Sequence, residues 1–126
     1  MKTIITTSNA PAPIGPYNQA TLVGNMLYTS GQIAINPANG ELVLDDITTE
    51  TKQVMENVKA VLEAAEMTFE NIVKTSIFIS DMENFGAINA VYATYFNEAT
   101  APARETVEVA NLPKYVNVEI SVIAVK

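Results

Sequence analysis

The chain has a single arginine, Arg104, in the run Ala101-Pro102-Ala103-Arg104-Glu105-Thr106-Val107-Glu108-Val109. Fifteen positions later Glu119 interrupts the strand-like stretch Val116-Asn117-Val118-Glu119-Ile120-Ser121-Val122. There is no His, no Cys and no Trp. Chemistry on a small anion would therefore fall to one guanidinium and a few carboxyls. Arginine grips a carboxylate with two parallel hydrogen bonds. A carboxyl beside it can move protons once its surroundings tune its pKa.

These residues need elements to hold them. A hairpin of the last two strands, Thr106–Val109 and Val116–Val125, centred on Leu112-Pro113, would set Thr106 opposite Glu119 and Arg104 opposite Ser121. Arg104, Thr106, Glu108, Asn117, Glu119 and Ser121 would share one face, and the intervening valines and Ile120 the other. Arg104 and Glu119 would be diagonal neighbours within reach of long side chains. The plain alternative is a cross-strand ion pair with no further role. The hydroxyls of Thr106 and Ser121 on the same face favour a small-molecule pocket.

Upstream, Ser8–Pro16 carries three prolines in six positions, which precludes regular structure and presents Tyr17 on a rigid loop. Gly24-Asn25 between Thr21-Leu22-Val23 and Met26–Ala34 signals a hairpin. Gly31, after Ser30, marks a bulge or a close backbone approach. Asn36–Gly40 is a turn. Apolar spacing predicts a helix over 49–65, capped by Asp46 or Thr48, and another over 84–97 with Phe85, Ile88, Tyr92, Tyr95 and Phe96 as its stripe. Residues 72–79 read as a strand rich in β-branched side chains. Tyr17 can equally be a core plug, Ser30-Gly31 a plain bulge, Asn89 a buried hydrogen-bonded amide and Glu108 a solvated strand residue.

The order is β-β-β-α-β-α-β-β. This is an α+β layered domain, with about six mostly antiparallel strands and two helices on one face. The uncovered face is apolar too, through Ile123, Val125 and the strand at 72–79, so a second copy of the chain is expected to cover it. Residues 1–126 form a single domain. An apolar fraction of 48% with 17% charged residues describes an ordinary globular chain. The balance of 7 basic to 14 acidic residues, a net charge of -7, disfavours nucleic acid and anionic membranes as partners. Without His or Cys no metal site is expected. The N-terminus lacks a signal-peptide core and no apolar run spans a membrane, so a cytoplasmic protein is expected.

The chain resembles the reactive intermediate deaminases, the Rid or YjgF-type family, and within it the RidA subfamily. The likeness rests on Ala10-Pro11 with Ile14-Gly15-Pro16-Tyr17, on Tyr28–Ile33, and on Gly40-Glu41. It continues through Asn57–Ala60, Ile72–Thr75, and Phe85, Asn89, Tyr92 and Tyr95-Phe96. The most specific part is Pro102-Ala103-Arg104, Val107-Glu108-Val109, Leu112-Pro113-Lys114 and Val118-Glu119-Ile120. The resemblance implies a homotrimer with a chorismate-mutase-like fold of the bacillus type and clefts between subunits. It implies cofactor-free hydrolysis of 2-imino acids (2-iminobutanoate, 2-iminopropanoate) to 2-oxo acids and ammonia, protecting against intermediates released by pyridoxal-phosphate enzymes. Carried over, Arg104 holds the substrate carboxylate, Glu119 activates water, and the Thr106 backbone meets the imino nitrogen. Tyr17, Ser30 and Gly31 complete the pocket. Glu105, Thr106, Glu66 and Tyr115 depart from the commoner residues; Glu66 replaces a Gly expected after the first helix. The competing reading is a non-catalytic sensor of 2-oxo acids. An RNA-directed role is disfavoured by the acidic balance, and a mutase by the lack of further cations.

Overall fold

The computed structural model describes all residues, 1–126. Its strands are β1 (Lys2–Ile5), β2 (Ala20–Val23), β3 (Met26–Thr29), β4 (Ile72–Ile79), β5 (Ala103–Glu108) and β6 (Val118–Val125). Two helices, α1 (Ile47–Ala64) and α2 (Phe85–Ala93), give the expected order of elements. Neither is long and apolar enough to cross a membrane. The six strands form one sheet in the order β1-β2-β3-β6-β4-β5.

Only β4 and β5 run parallel; every other neighbouring pair is antiparallel. This corrects the terminal hairpin. β5 and β6 are not neighbours: β6 inserts between β3 and β4, and β5 takes the far edge. The physical reason lies in the strands themselves. β6 carries apolar residues on both parities, as a central strand needs, whereas Glu105, Thr106 and Glu108 suit an edge. A strand, a covering helix and a second strand also favour a parallel crossover over a hairpin.

Changing the neighbour changes the faces. Paired residues share a face, so Arg104 lies with Thr75 and Val122, and Thr106 with Ile77 and Ile120. The buried Thr75, Ile77, Ile79, Val118, Ile120 and Val122 define this as the helix face. The five apolar ones pack against Val54, Val58, Val61 and Leu62 of α1 and Ile88 and Tyr92 of α2 in one core cluster. Glu119 pairs with Phe78, which also pairs with Val107, on the opposite face. The common polar face inferred for Arg104, Thr106 and Glu119 does not exist.

The helices end for local reasons. Asp46 caps α1, its Oδ1 accepting from Thr49 N at 2.7 Å. At the other end Met67 N donates to Leu62 O and Glu66 N to Glu63 O, both at 2.9 Å. That is the Schellman pattern, with Glu66 at φ 59 where glycine is preferred. The second helix stops at Ala93, short of the expected Asn97. Thr94 Oγ1 donates to Val91 O and Asn97 caps a following turn over 98–100, local bonds that compete with helix. Tyr95 and Phe96 still pack on Phe69, with ring centroids 5.0 and 5.6 Å away.

Candidate active site

Two polar half-sites emerge, one on each face. The first surrounds Glu119. β3 leaves the sheet after Thr29 and rejoins it where Gln32 bridges Ile120, exchanging backbone hydrogen bonds of 2.8 and 3.0 Å. Tyr28 faces Ile123 while Gln32 faces Ile120, so four steps on one side match three on the other. The extra residue is a bulge at Ser30-Gly31, as the sequence suggested. Thr29 Oγ1 fills the gap by accepting from Val122 N at 2.9 Å. The bulge brings the backbone of Gly31 beneath Glu119. A Cβ on Gly31 would stand 2.6 Å from the Glu119 carboxyl, so only glycine allows this approach.

Buried amides hold the surrounding loops. Gln19 accepts from Thr7 N at 2.7 Å and donates to the carbonyls of Thr7, Ala10 and Pro11, which ties down the proline-rich segment. Asn57 of α1 donates to Ile33 O and Ile35 O at 3.0 and 2.9 Å. Buried Glu50 accepts from both the backbone and side-chain nitrogens of Asn117, at 2.8 and 2.7 Å, fixing the chain two residues before Glu119. The result is a cleft of about 370 Å³ lined by Tyr17, Ser30, Gly31 and Glu119 together with Pro11, Ile14, Ile33 and Pro113. Tyr17 is half exposed, and its hydroxyl accepts from Ile14 N at 3.4 Å. No side chain hydrogen-bonds the Glu119 carboxyl, and burial pushes it above the usual carboxylate range.

The second half-site surrounds Arg104 on the edge strand. Its Nη1 donates to Asn89 Oδ1 of α2 at 2.7 Å. Its guanidinium carbon lies 4.9 Å from the Tyr92 ring centroid and 5.8 Å from that of Phe85. Tyr92 in turn donates to Thr75 Oγ1 at 3.0 Å. Burial pushes the Tyr92 phenol up, so it stays neutral beside the cation. No carboxylate pairs with Arg104: the one ion pair in the chain joins Lys74 to Glu105 at 2.9 Å. Glu105 lies on the other face, bonded also by Ser76, so it does not compete for the guanidinium.

Tyr17, Ser30, Gly31 and Glu119 therefore come together, whereas Arg104 and Thr106 stand apart from their cleft. Arg104 and Glu119 are two strands and three residues apart, about 10 Å in each direction. They also point to opposite faces. One small carboxylate cannot touch both within one chain, and neither a diagonal contact nor an ion pair joins them. Gln19, Asn57, Glu50 and Asn117 were not singled out from the sequence for the site. Their signal is a polar side chain at an otherwise apolar position, which buried hydrogen-bonded pegs share with many solvated residues. Asn89 is the hydrogen-bonded amide expected, with Arg104 as its partner.

Comparison with known proteins adds the lineage. Residues 7–126 match the family model described as Endoribonuclease L-PSP. A 2-iminobutanoate/2-iminopropanoate deaminase of Escherichia coli is 50% identical over 128 residues, covering 100% of this chain and 99% of the relative. The crystal structure of the Escherichia coli YjgF gene product superposes with a TM-score of 0.92 at 48% identity, covering 98% of each chain. That of Escherichia coli TdcF with bound serine gives 0.92 at 44% identity, again over 98% of each chain.

Proposed function

Because the chain belongs to the Endoribonuclease L-PSP family, which includes the Rid and YjgF-type proteins, we propose that it hydrolyses 2-imino acids such as 2-iminobutanoate to 2-oxo acids and ammonia. One observation carries the reading. Arg104 and Glu119 both lack a counter-charge, one on an edge strand and the other on a sheet face that no helix covers. That face exposes Ile4, Val23, Tyr28 and Val107, apolar side chains that a second copy would bury.

A neighbouring copy laying its β5 edge across this face brings its own Arg104 to the Glu119 cleft. Closing such a heterologous contact gives a ring, and the family likeness favours three copies. In the completed site Arg104 grips the substrate carboxylate and so aims the adjoining C=N carbon. Glu119 takes a proton from water as the water oxygen bonds to that carbon. The same carboxyl passes that proton to nitrogen, which gives a carbinolamine, and then moves the hydroxyl proton to nitrogen as the C–N bond breaks and the C=O bond forms, leaving the 2-oxo acid and ammonia. A raised pKa suits this exchange, because the group must both accept and donate near working pH. Positioning alone is worth several kcal/mol in favourable cases.

The bound serine in TdcF supports a second reading, a cleft that binds small carboxylates without turnover. A nuclease role, which the family model's name suggests, fits poorly with a net charge of -7 and a single arginine. The test generates imine with a threonine dehydratase and threonine, traps it with semicarbazide, and follows 2-oxobutanoate. Acceleration over buffer is expected; no acceleration, with 2-oxobutanoate still bound, selects the binding reading. Arg104→Lys should lose about 10–100-fold in kcat/KM, since lysine cannot replace a charge-assisted bidentate grip.

A further inference from the structure

Glu50 and Asn57 of α1 stand about two turns apart on one face of the helix. Both are buried, and neither lines the Glu119 cleft or belongs to an ion pair. A carboxyl and an amide are costly to take out of water, and leucine at either position would cost less. What each gains is a grip on one wall of the cleft. Glu50 accepts from Asn117 N and Nδ2 at 2.8 and 2.7 Å, and Asn117 O accepts from Ser80 N at 3.1 Å. Asn57 donates to Ile33 O and Ile35 O at 3.0 and 2.9 Å. Gln53 Nε2, donating to Asn57 Oδ1 at 2.9 Å, turns that amide the right way. Between the two grips lies the Gln32–Ile120 bridge, the one backbone pair that joins these chains beyond the bulge. Gly31 and Glu119 are its neighbours, one on each chain. Two hydrogen bonds at a single pair make a ladder that frays readily. One helix gripping both chains prevents that.

We infer that Glu50 and Asn57 are positioning residues for Glu119, two pegs on one helix that hold both walls and so fix its carboxyl above the Gly31 backbone. This deepens the proposed reading and rests on Glu119 as the group that moves protons. Seating of this kind acts on the proton-transfer steps and leaves substrate capture to Arg104 of a neighbouring copy. Both pegs act on the same bridge. Losing either one loosens it, and losing the second adds little, as expected of residues that work through one shared element.

The test uses Glu50→Leu and Asn57→Leu, which remove the hydrogen bonds and roughly keep the volume. Each should lower kcat for imine hydrolysis about tenfold, with 2-oxobutanoate affinity by calorimetry unchanged. The double variant should lose about as much as the worse single one. Glu50→Gln should stay near wild type. With the Asn117 amide turned over, its oxygen accepts from Asn117 N and its NH2 donates to Asn117 Oδ1. Asn117→Ala, at a half-buried position, releases one bond of the same clamp and should give a smaller fall in kcat. It keeps the test decisive where a buried variant fails to fold. A second readout needs no turnover: carboxyl-carbon NMR of Glu119, assigned by its absence in Glu119→Gln. The group should titrate closer to an ordinary carboxylate in Glu50→Leu and Asn117→Ala, as it rises toward solvent, and as in wild type in Glu50→Gln. A lower Tm with kcat and this titration unchanged overturns the inference, because the pegs would then serve the fold alone. So do losses that multiply in the double variant, or a loss of 2-oxobutanoate affinity as large as that in kcat. A protein that shows the NMR change yet never speeds imine hydrolysis sinks the enzymatic reading and leaves this inference standing.

Discussion

Arg104 and Glu119 lie on opposite faces of one sheet, and their surroundings differ as much as their positions. Arg104 is held hard: an amide from α2 takes one of its donors, and two aromatic rings flank it. Glu119 is held only by shape, over a glycine backbone and with no hydrogen-bonding partner. The contrast fits two tasks. A group that anchors an anion gains from a fixed geometry that leaves donors free. A group that passes protons gains from an environment that keeps both of its protonation states accessible. Glu105, on the same face as Glu119, shows the opposite treatment. Its bonds to Ser76 and Lys74 hold its carboxyl below the usual range, so it stays ionised.

The strongest test of this contrast is Glu119→Gln. Imine hydrolysis should fall by about 10²–10⁴-fold while 2-oxobutanoate binding persists. Stability should move the other way. The Glu119 pKa is raised in the folded state, so its charged form opposes folding above that value, and the penalty disappears as pH falls through it. Glu119→Gln should therefore unfold at a higher temperature than wild type at neutral pH, with the gain vanishing in acid. A uniform loss of Tm at all pH values would contradict an unpartnered carboxyl.

Mixing comes next. Arg104→Lys and Glu119→Gln chains, each impaired alone, should regain activity when unfolded together and reassembled. Random assembly leaves roughly a quarter of the inter-copy sites with both groups intact. Recovery near that level places the two groups in different copies, and none keeps them in one.

Gly31→Ala should have a smaller effect, about tenfold in kcat. The new Cβ meets the flexible end of Glu119, so the carboxyl shifts and the fold survives. Carboxylate binding at Arg104 should be unaffected. The smallest effect, on stability alone, is expected far from both half-sites. Glu66→Gly relieves a left-handed residue in the α1 terminus and should add about 1 kcal/mol, a rise of a few degrees in Tm. Unchanged activity in that variant shows that the stability of the fold and the two half-sites can be altered separately.

Local rules explain what could be read without coordinates. The helix at 47–64, the strand at 72–79, the Gly24 hairpin and the Asp46 cap all follow from periodicity, turn chemistry and capping within a few residues. So does the bulge that makes Ser30-Gly31 part of the cleft, because a glycine inside a strand pattern signals close approach. The uncovered apolar face was legible in β6, where Ile123 and Val125 lie on the parity opposite Val118, Ile120 and Val122. What failed was strand pairing. Nearness in sequence suggested that β5 and β6 form a hairpin, yet β6 found better burial between β3 and β4.

The sequence by itself determined which residue types are available for chemistry, one guanidinium and carboxyls without His or Cys. It also determined where most of the local elements lie, because those depend on neighbours within a turn or two. Only the tertiary structure decided that Arg104 faces α2 and Glu119 faces away. The face a strand side chain takes is fixed by the strand's neighbours, and those are set by long-range burial across the whole sheet.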